Sequence, residues 1–348
     1  MDRSCLLAIV GLVFWTSGCA SLHPVAVEAE TVKAKDGEGK ENTGKKPPKT
    51  LLEWTLLKKD DEKKNGKNEE DGKKGKDRQR DKDKEPGNKN EDGVKDKENS
   101  NGEDKEKEEE PKRIDPDRPH LPEASTTVGL GRAVLEGGYT YNTSGGFFPR
   151  HSYPEALLRV GVFADWFEFR IAQNLATQTA TDEFGVRSSN SGAQDLQLGA
   201  KLALTEQQQC LPESALILQM TVPTGNNALT ANRVLPGVHY DCNWEIFKDL
   251  LSVETVVIAD GAVDDRGHTF ISLAHGVTAA YDVTKKLEAF GELDSFYASG
   301  DSAPPQHYFV AGLVYFITIN CEIDVRAGVG LNEHADGYLI GSGFALRY

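Results

Sequence analysis

Cysteine is scarce: 5 in 348 residues, with only 2 methionines. No Cys-x-x-C occurs, and no Cys/His spacing fits a zinc site. Cys210, Cys242 and Cys321 lie far apart, which argues against a disulfide framework. A surplus of positive charge is also missing. Lys and Arg number 40 against 55 Asp and Glu, a net charge of −15, so nucleic acid is not expected as a partner. Beyond Leu6–Trp15 no apolar run approaches the roughly 18 residues of a helical membrane span. That absence leaves a β-barrel open, because its strands carry a far weaker hydropathy signal. No Gly-x-Ser-x-Gly is present, and no Lys follows Pro223-Thr224-Gly225-Asn226-Asn227 as a phosphate loop would need. Ser272 and His275 are close in sequence but have opposite strand parity. Asp260, Asp264, Asp265 and His268 read as a solvated acidic loop, with a cation site or protease-like cluster as the alternative. No enzyme, cofactor or metal is expected.

What is present divides at residue 118. Residues 1–118 hold 27 Lys and Arg and 29 Asp and Glu; residues 119–348 hold 13 and 26. The first part is too charged to bury an apolar core. Leu6–Trp15 is too short to span a bilayer and suits a signal-peptide core. Thr16-Ser17-Gly18 before Cys19 resembles a bacterial lipobox, although Thr16 stands where Leu is usual. The expectation is a signal peptide over 1–19 with Cys19 lipidated, or ordinary cleavage nearby. Residues 20–118 read as a disordered Lys/Glu/Asp/Gly-rich tether, in which repeated glycines interrupt every candidate helix. Such a tether has an r.m.s. reach of roughly 50 Å, enough to make the cell wall a partner. Its one apolar patch, Leu51-Leu52-Glu53-Trp54-Thr55-Leu56-Leu57, reads as a transient helix, with docking on a partner or on the folded domain as the other option.

From residue 126 onward, period-two alternation dominates. In Val238–Ile246, Val, Tyr, Cys, Trp and Ile occupy one face and His, Asp, Asn and Glu the other. Twelve candidate strands follow: about 128–142, 155–163, 166–175, 194–204, 214–222, 236–246, 251–260, 269–281, 286–297, 307–317, 320–331 and 337–348. Most approach the ten residues that a tilted strand needs to cross a bilayer. Connections after odd strands are long and polar. Those after even strands are mostly tight, Thr205–Glu213 excepted. This sorting by parity is what an up-and-down antiparallel transmembrane β-barrel produces. The fold class expected is therefore all-β, with about 12 strands over 119–348. A soluble barrel with its apolar face inward is the alternative, since alternation does not say which face points where. Gly343, Leu346 and Tyr348 fit the C-terminal signal read by the barrel-assembly machinery.

If the apolar face meets lipid, the lumen receives Arg132, Arg159, Arg170, Lys201, Lys286, Arg326 and Arg347. It also receives Glu136, Glu168, Asp195, Asp241, Glu245, Glu254, Glu288, Glu292, Asp294, Glu322 and Asp324. Such charges must be hydrated or paired. An acidic, narrow lumen favours cations or neutral small molecules as solutes. The alternative is that the charges pair into a plug, leaving a structural barrel that holds a charged arm.

Several blocks resemble a known family. They are Asp117-Arg118-Pro119, Leu135-Glu136-Gly137-Gly138-Tyr139, Leu158-Arg159-Val160-Gly161, Phe167-Glu168-Phe169-Arg170-Ile171, Asp195-Leu196 with Gly199-Ala200-Lys201, Val222-Pro223-Thr224-Gly225, Asp324 with Gly328–Asn332, and Arg347-Tyr348. Over about residues 115–348 the chain resembles the bacterial meta-pathway phenol degradation proteins. The resemblance implies an outer-membrane barrel and a passive channel for small hydrophobic or aromatic compounds. It brings no catalytic motif and does not cover the tether. The implied location is the outer membrane, with the N-terminal segment and the C-terminus in the periplasm.

Overall fold

Alternating side chains suit a sheet that is wetted on one face only, and the computed structural model is such a sheet closed on itself. It describes residues 48–55, 58, 112–143, 150–181, 187–264, 266–298, 304–335 and 337–348. Cys19, the signal segment and most of the charged segment lie outside these residues. The strands are β1 (Ala133–Asn142), β2 (Arg150–Gly161), β3 (Phe167–Thr181), β4 (Arg187–Ala193), β5 (Leu196–Thr205), β6 (Glu213–Val222), β7 (Leu235–Phe247), β8 (Leu251–Val263), β9 (Thr269–Thr284), β10 (Leu287–Ala298), β11 (Gln306–Thr318), β12 (Cys321–Gly330) and β13 (Tyr338–Arg347). Except between β4 and β5, each pairs antiparallel with its sequence neighbours, and β1 pairs with both β2 and β13. β4 and β5 both lie against β3 and together form one stave, interrupted at Gln194-Asp195. The wall is thus a closed barrel of twelve staves. Its seam is finished by Tyr348 N–H donating to the Ala133 carbonyl at 2.8 Å.

The wall settles which face points out. Phe169, Leu218, Tyr240, Val257, Leu293, Phe309, Leu313, Tyr315, Ile323, Val325, Ile340 and Phe344 are exposed, whereas Arg159, Glu168, Lys201, Asp241 and Glu322 are fully shielded. The greasy side is outside, so the soluble-barrel alternative falls. Val325, midway along β12, is 54% exposed. Val325→Arg should cost about 2–4 kcal/mol if that surface meets acyl chains. Urea unfolding in liposomes measures this, and an unshifted midpoint would place the residue in water.

Two departures from expectation concern chain ends and turns. β1 starts at Ala133 rather than 128, because residues 113–131 do not join the wall. Thr205–Glu213, the one long even connection, folds back over the outer face. There the Cys210 carbonyl accepts the Trp244 indole N–H at 3.0 Å, and Gln207 pairs with both backbone groups of Glu245. Trp244 is thereby covered to 2% exposure. Among the described residues, Cys242 and Cys321 are free thiols.

Leu51–Thr55 form one helical turn. Thr50 Oγ accepts from Glu53 N–H at 3.2 Å, an N-terminal cap, and the Glu53 carboxylate accepts from Lys49 N–H at 2.9 Å. The Trp54 ring packs 5.7 Å from that of Trp166 in the β2–β3 turn. Of the apolar patch, Trp54 thus meets the barrel, while Leu56 and Leu57 lie outside the described residues.

Candidate functional site: a charged lumen and its insert

Residues 113–131 run into the barrel from the end that carries the short turns, reach mid-height near Leu121 and return to β1. The boundary drawn at residue 118 falls inside this insert. Its Pro116, Pro119 and Pro122 deny it regular structure, so its backbone donors and acceptors must be met by the wall. The wall supplies them with carboxylates. Glu136 accepts the N–H groups of Asp117 and Arg118 at 3.0–3.1 Å. Glu292 accepts that of Leu121 at 2.9 Å, Asp241 that of Glu123 at 2.9 Å, and Glu168 that of Val128 at 2.9 Å.

Arg159 is the hub. It is fully shielded, and its guanidinium reaches Glu168 at 2.8 Å, Asp117 at 3.0 Å, Glu136 at 3.3 Å and the carbonyls of Asp115 and Thr126 at 2.9 and 3.1 Å. Lys201 meets Asp117 at 2.5 Å and the Ala124 carbonyl at 2.8 Å. Arg170 bridges Asp117 at 2.8 Å and Glu123. From the insert outward, Arg113 pairs with Asp282 at 2.8 Å, Arg118 with Glu155 at 2.5 Å and Asp324 at 3.5 Å, and His120 lies 3.2 Å from Glu254. Arg326 donates to the Pro119 carbonyl and to Thr140 at 3.1 Å. The wall charges are thus matched to the insert more than to one another.

Arg118 needs room. Gly138 on β1 and Gly343 on β13 lie against its side chain, and a Cβ at either would overlap the guanidinium. Gly343, expected only as part of the C-terminal assembly signal, also makes space for this arm. Leu346 and Tyr348 sit beside it on the terminal strand, Tyr348 closing the seam.

Of the predicted lumen residues, Arg159, Glu168, Arg170, Lys201, Asp241, Glu292, Asp294, Glu322 and Asp324 are buried facing inward. Arg326 is half-buried, and Glu288 is half-buried 3.9 Å from Arg113. Two differ. Asp195 sits at the break between β4 and β5 and accepts from Gly225 N–H and Ala231 N–H, both at 2.9 Å, so it anchors the loop after β6. Glu245 lies exposed near the end of β7, where its carboxylate accepts from Asp249 N–H at 2.9 Å.

Sequence reasoning weighed charges and passed over amides. Above the insert, toward the long loops, Asn174 donates to Ser152 and Gln194 at 2.6 and 2.8 Å. Gln197 bonds Gln219, whose amide reaches His239 at 2.8 Å, and His239 contacts Asp260 at 3.2 Å. Their strand parity matched that of the charges and was the signal available. In the loop after β8, Asp264 accepts N–H groups from His268 at 2.7 Å and Arg266 at 2.9 Å, which hold its carboxyl below the usual range. Asp265 lies outside the described residues. No cluster suited to a metal ion occurs among the described residues.

Residues 116–348 match the sequence model of a family described as "Putative MetA-pathway of phenol degradation". Among solved structures, the COG4313 outer membrane channel from Pseudomonas putida F1 is similar at 14% identity and TM-score 0.51, covering 64% of this chain and 98% of that one. The NanC porin is similar at 12% identity and TM-score 0.38, over 62% and 98%. The KdgM porin, solved with disordered oligogalacturonate, is similar at 11% identity and TM-score 0.39, over 61% and 98%. Comparison with curated proteins gave no match.

Proposed function

This chain belongs to that phenol-degradation family, and on that premise we propose that it is an outer-membrane passive channel for small molecules. The observation that carries the reading is the polarity of the wall: hydrocarbon side chains outside, ion pairs and amides inside along the barrel's height. The acidic excess of the lumen favours cationic or neutral solutes, and the family's description points to small aromatic ones. No catalytic role is assigned to the lumen. In this reading the short turns face the periplasm, both ends of the chain lie there, and the barrel-assembly machinery reads Gly343, Leu346 and Tyr348. The charged segment is a tether with the cell wall in reach, held by a lipidated Cys19.

One observation favours a second reading. The insert's contacts fill the short-turn half of the lumen, as a non-conducting structural barrel would require. Planar-bilayer recording of the purified chain separates the two. Stepwise currents with cation preference are expected, and they should persist after deletion of residues 28–111, which leaves the insert whole. Silence at all voltages from heat-modifiable protein would favour the structural barrel. Intact mass of the mature chain should show an acylated Cys19, and an unmodified later start would refute that part.

A further inference from the structure

Polar side chains on a lipid-facing wall are costly and call for a reason. One cross-strand row breaks the apolar surface. His275 on β9, Ser295 on β10 and His307 on β11 stand in direct register with outward parity, the two histidines half-buried and Ser295 set between them at 8% exposure. The adjacent outward positions Leu273, Leu293 and Phe309 are exposed apolar residues. Ser295 lies three residues from the end of β10 and His307 is the second residue of β11. At about 3.3 Å per residue this is within roughly 10 Å of the long-loop rim, the depth of lipid headgroups and ester bonds.

Within the row, Ser295 Oγ is 2.8 Å from His307 Nδ1. Tyr297 stacks on His275 and meets His307 edge-on, with ring centroids 6.1 Å away in both cases. His275 Nδ1, on the other flank of Ser295, is shielded and has no hydrogen-bond partner among the described residues. A hydroxyl bonded to an imidazole is the nucleophile–base pair for attack on a carbonyl, and here a tyrosine edge rather than a carboxylate or amide holds the base. The row holds no Lys or Arg, so a phosphate is not what it is built to grip.

We propose that His275, Ser295 and His307 form an acyl-ester hydrolase site on the outer wall, acting on membrane lipids of the leaflet at the long-loop end. Ser295 Oγ bonds to the ester carbonyl carbon as its proton passes to His307 Nδ1. The carbon–alkoxy bond then breaks, and the leaving alcohol takes that proton. Water, deprotonated by the same nitrogen, attacks the acyl-serine, releases the fatty acid and restores the hydroxyl. His275 donates a ring N–H to the oxygen that gains charge, and Tyr297 fixes both rings. The activity is independent of any passage through the lumen.

The test uses the full chain in detergent micelles, with folding verified by heat-modifiability. A fluorophosphonate should add one phosphonyl group, located at Ser295 by peptide mass. Mixed micelles of diacylphosphatidylethanolamine should release fatty acid. Ser295→Ala should abolish both, and His307→Asn should slow both by at least about 100-fold. Single-channel conductance of Ser295→Ala should equal that of the parent. Folded parent protein that takes no label, labelling that survives in Ser295→Ala, or labelling without fatty-acid release would each overturn the proposal.

Discussion

Replacing Arg159 by alanine is expected to destabilise the barrel by about 3–5 kcal/mol, the cost typical of stripping one partner from a buried ion pair. Three carboxylates, of Asp117, Glu136 and Glu168, lose their shared cation, and the carbonyls of Asp115 and Thr126 lose a donor. None of these groups can turn to water, because Glu136 and Glu168 are as fully shielded as Arg159 itself. Arg159→Lys keeps the charge but cannot serve five acceptors in several directions, so an intermediate loss is expected. The measurement is the urea midpoint from tryptophan fluorescence in liposomes. An unchanged midpoint for Arg159→Ala would mean that the network contributes shape without stability.

The second large effect concerns conductance. Removal of residues 113–128 should raise single-channel conductance several-fold, because the insert and its ion pairs occupy the short-turn half of a lumen that is narrow to begin with. The exposed carboxylates of Glu136, Asp241, Glu292 and Asp324 should at the same time sharpen cation preference, read as a shift of reversal potential in a salt gradient. Deletion of residues 28–111 is the control for shortening the chain and should leave both values unchanged. Equal conductance with and without the insert would show that solutes pass elsewhere.

Much of the wall was legible in the sequence because its physics is local. A wet face and a greasy face force alternation in every stave, and loop lengths sort by the side of the barrel on which they fall. All twelve expected strands overlap observed staves. What escaped the sequence depends on contacts far along the chain. Ile114-Asp115-Pro116-Asp117-Arg118-Pro119 has no period and looks like the end of a tether, yet Asp117 meets Arg159, Arg170 and Lys201. The surplus of inward charge was the trace it left, since those wall residues had too few partners among themselves. Asp195 has the inward parity, but the stave breaks beside it and its carboxylate holds a loop, a contact that parity does not carry. The row of His275, Ser295 and His307 was hidden because only register aligns residues on three separate strands. Parity did rule out the nearer pair Ser272 and His275 correctly.

One consequence of the seam reaches beyond the finished molecule. The insert immediately precedes β1, and the strand that seals against β1 is β13, at the opposite extreme of the chain. In the chain the insert thus adjoins the first stave, and the sealing edge is the last. While the sheet is still open, Asp117 and Arg118 can find Glu136, only nineteen and eighteen positions away, and the remaining staves can wrap around a filling that is already anchored. No step requires threading a charged, proline-rich hairpin into a completed cylinder.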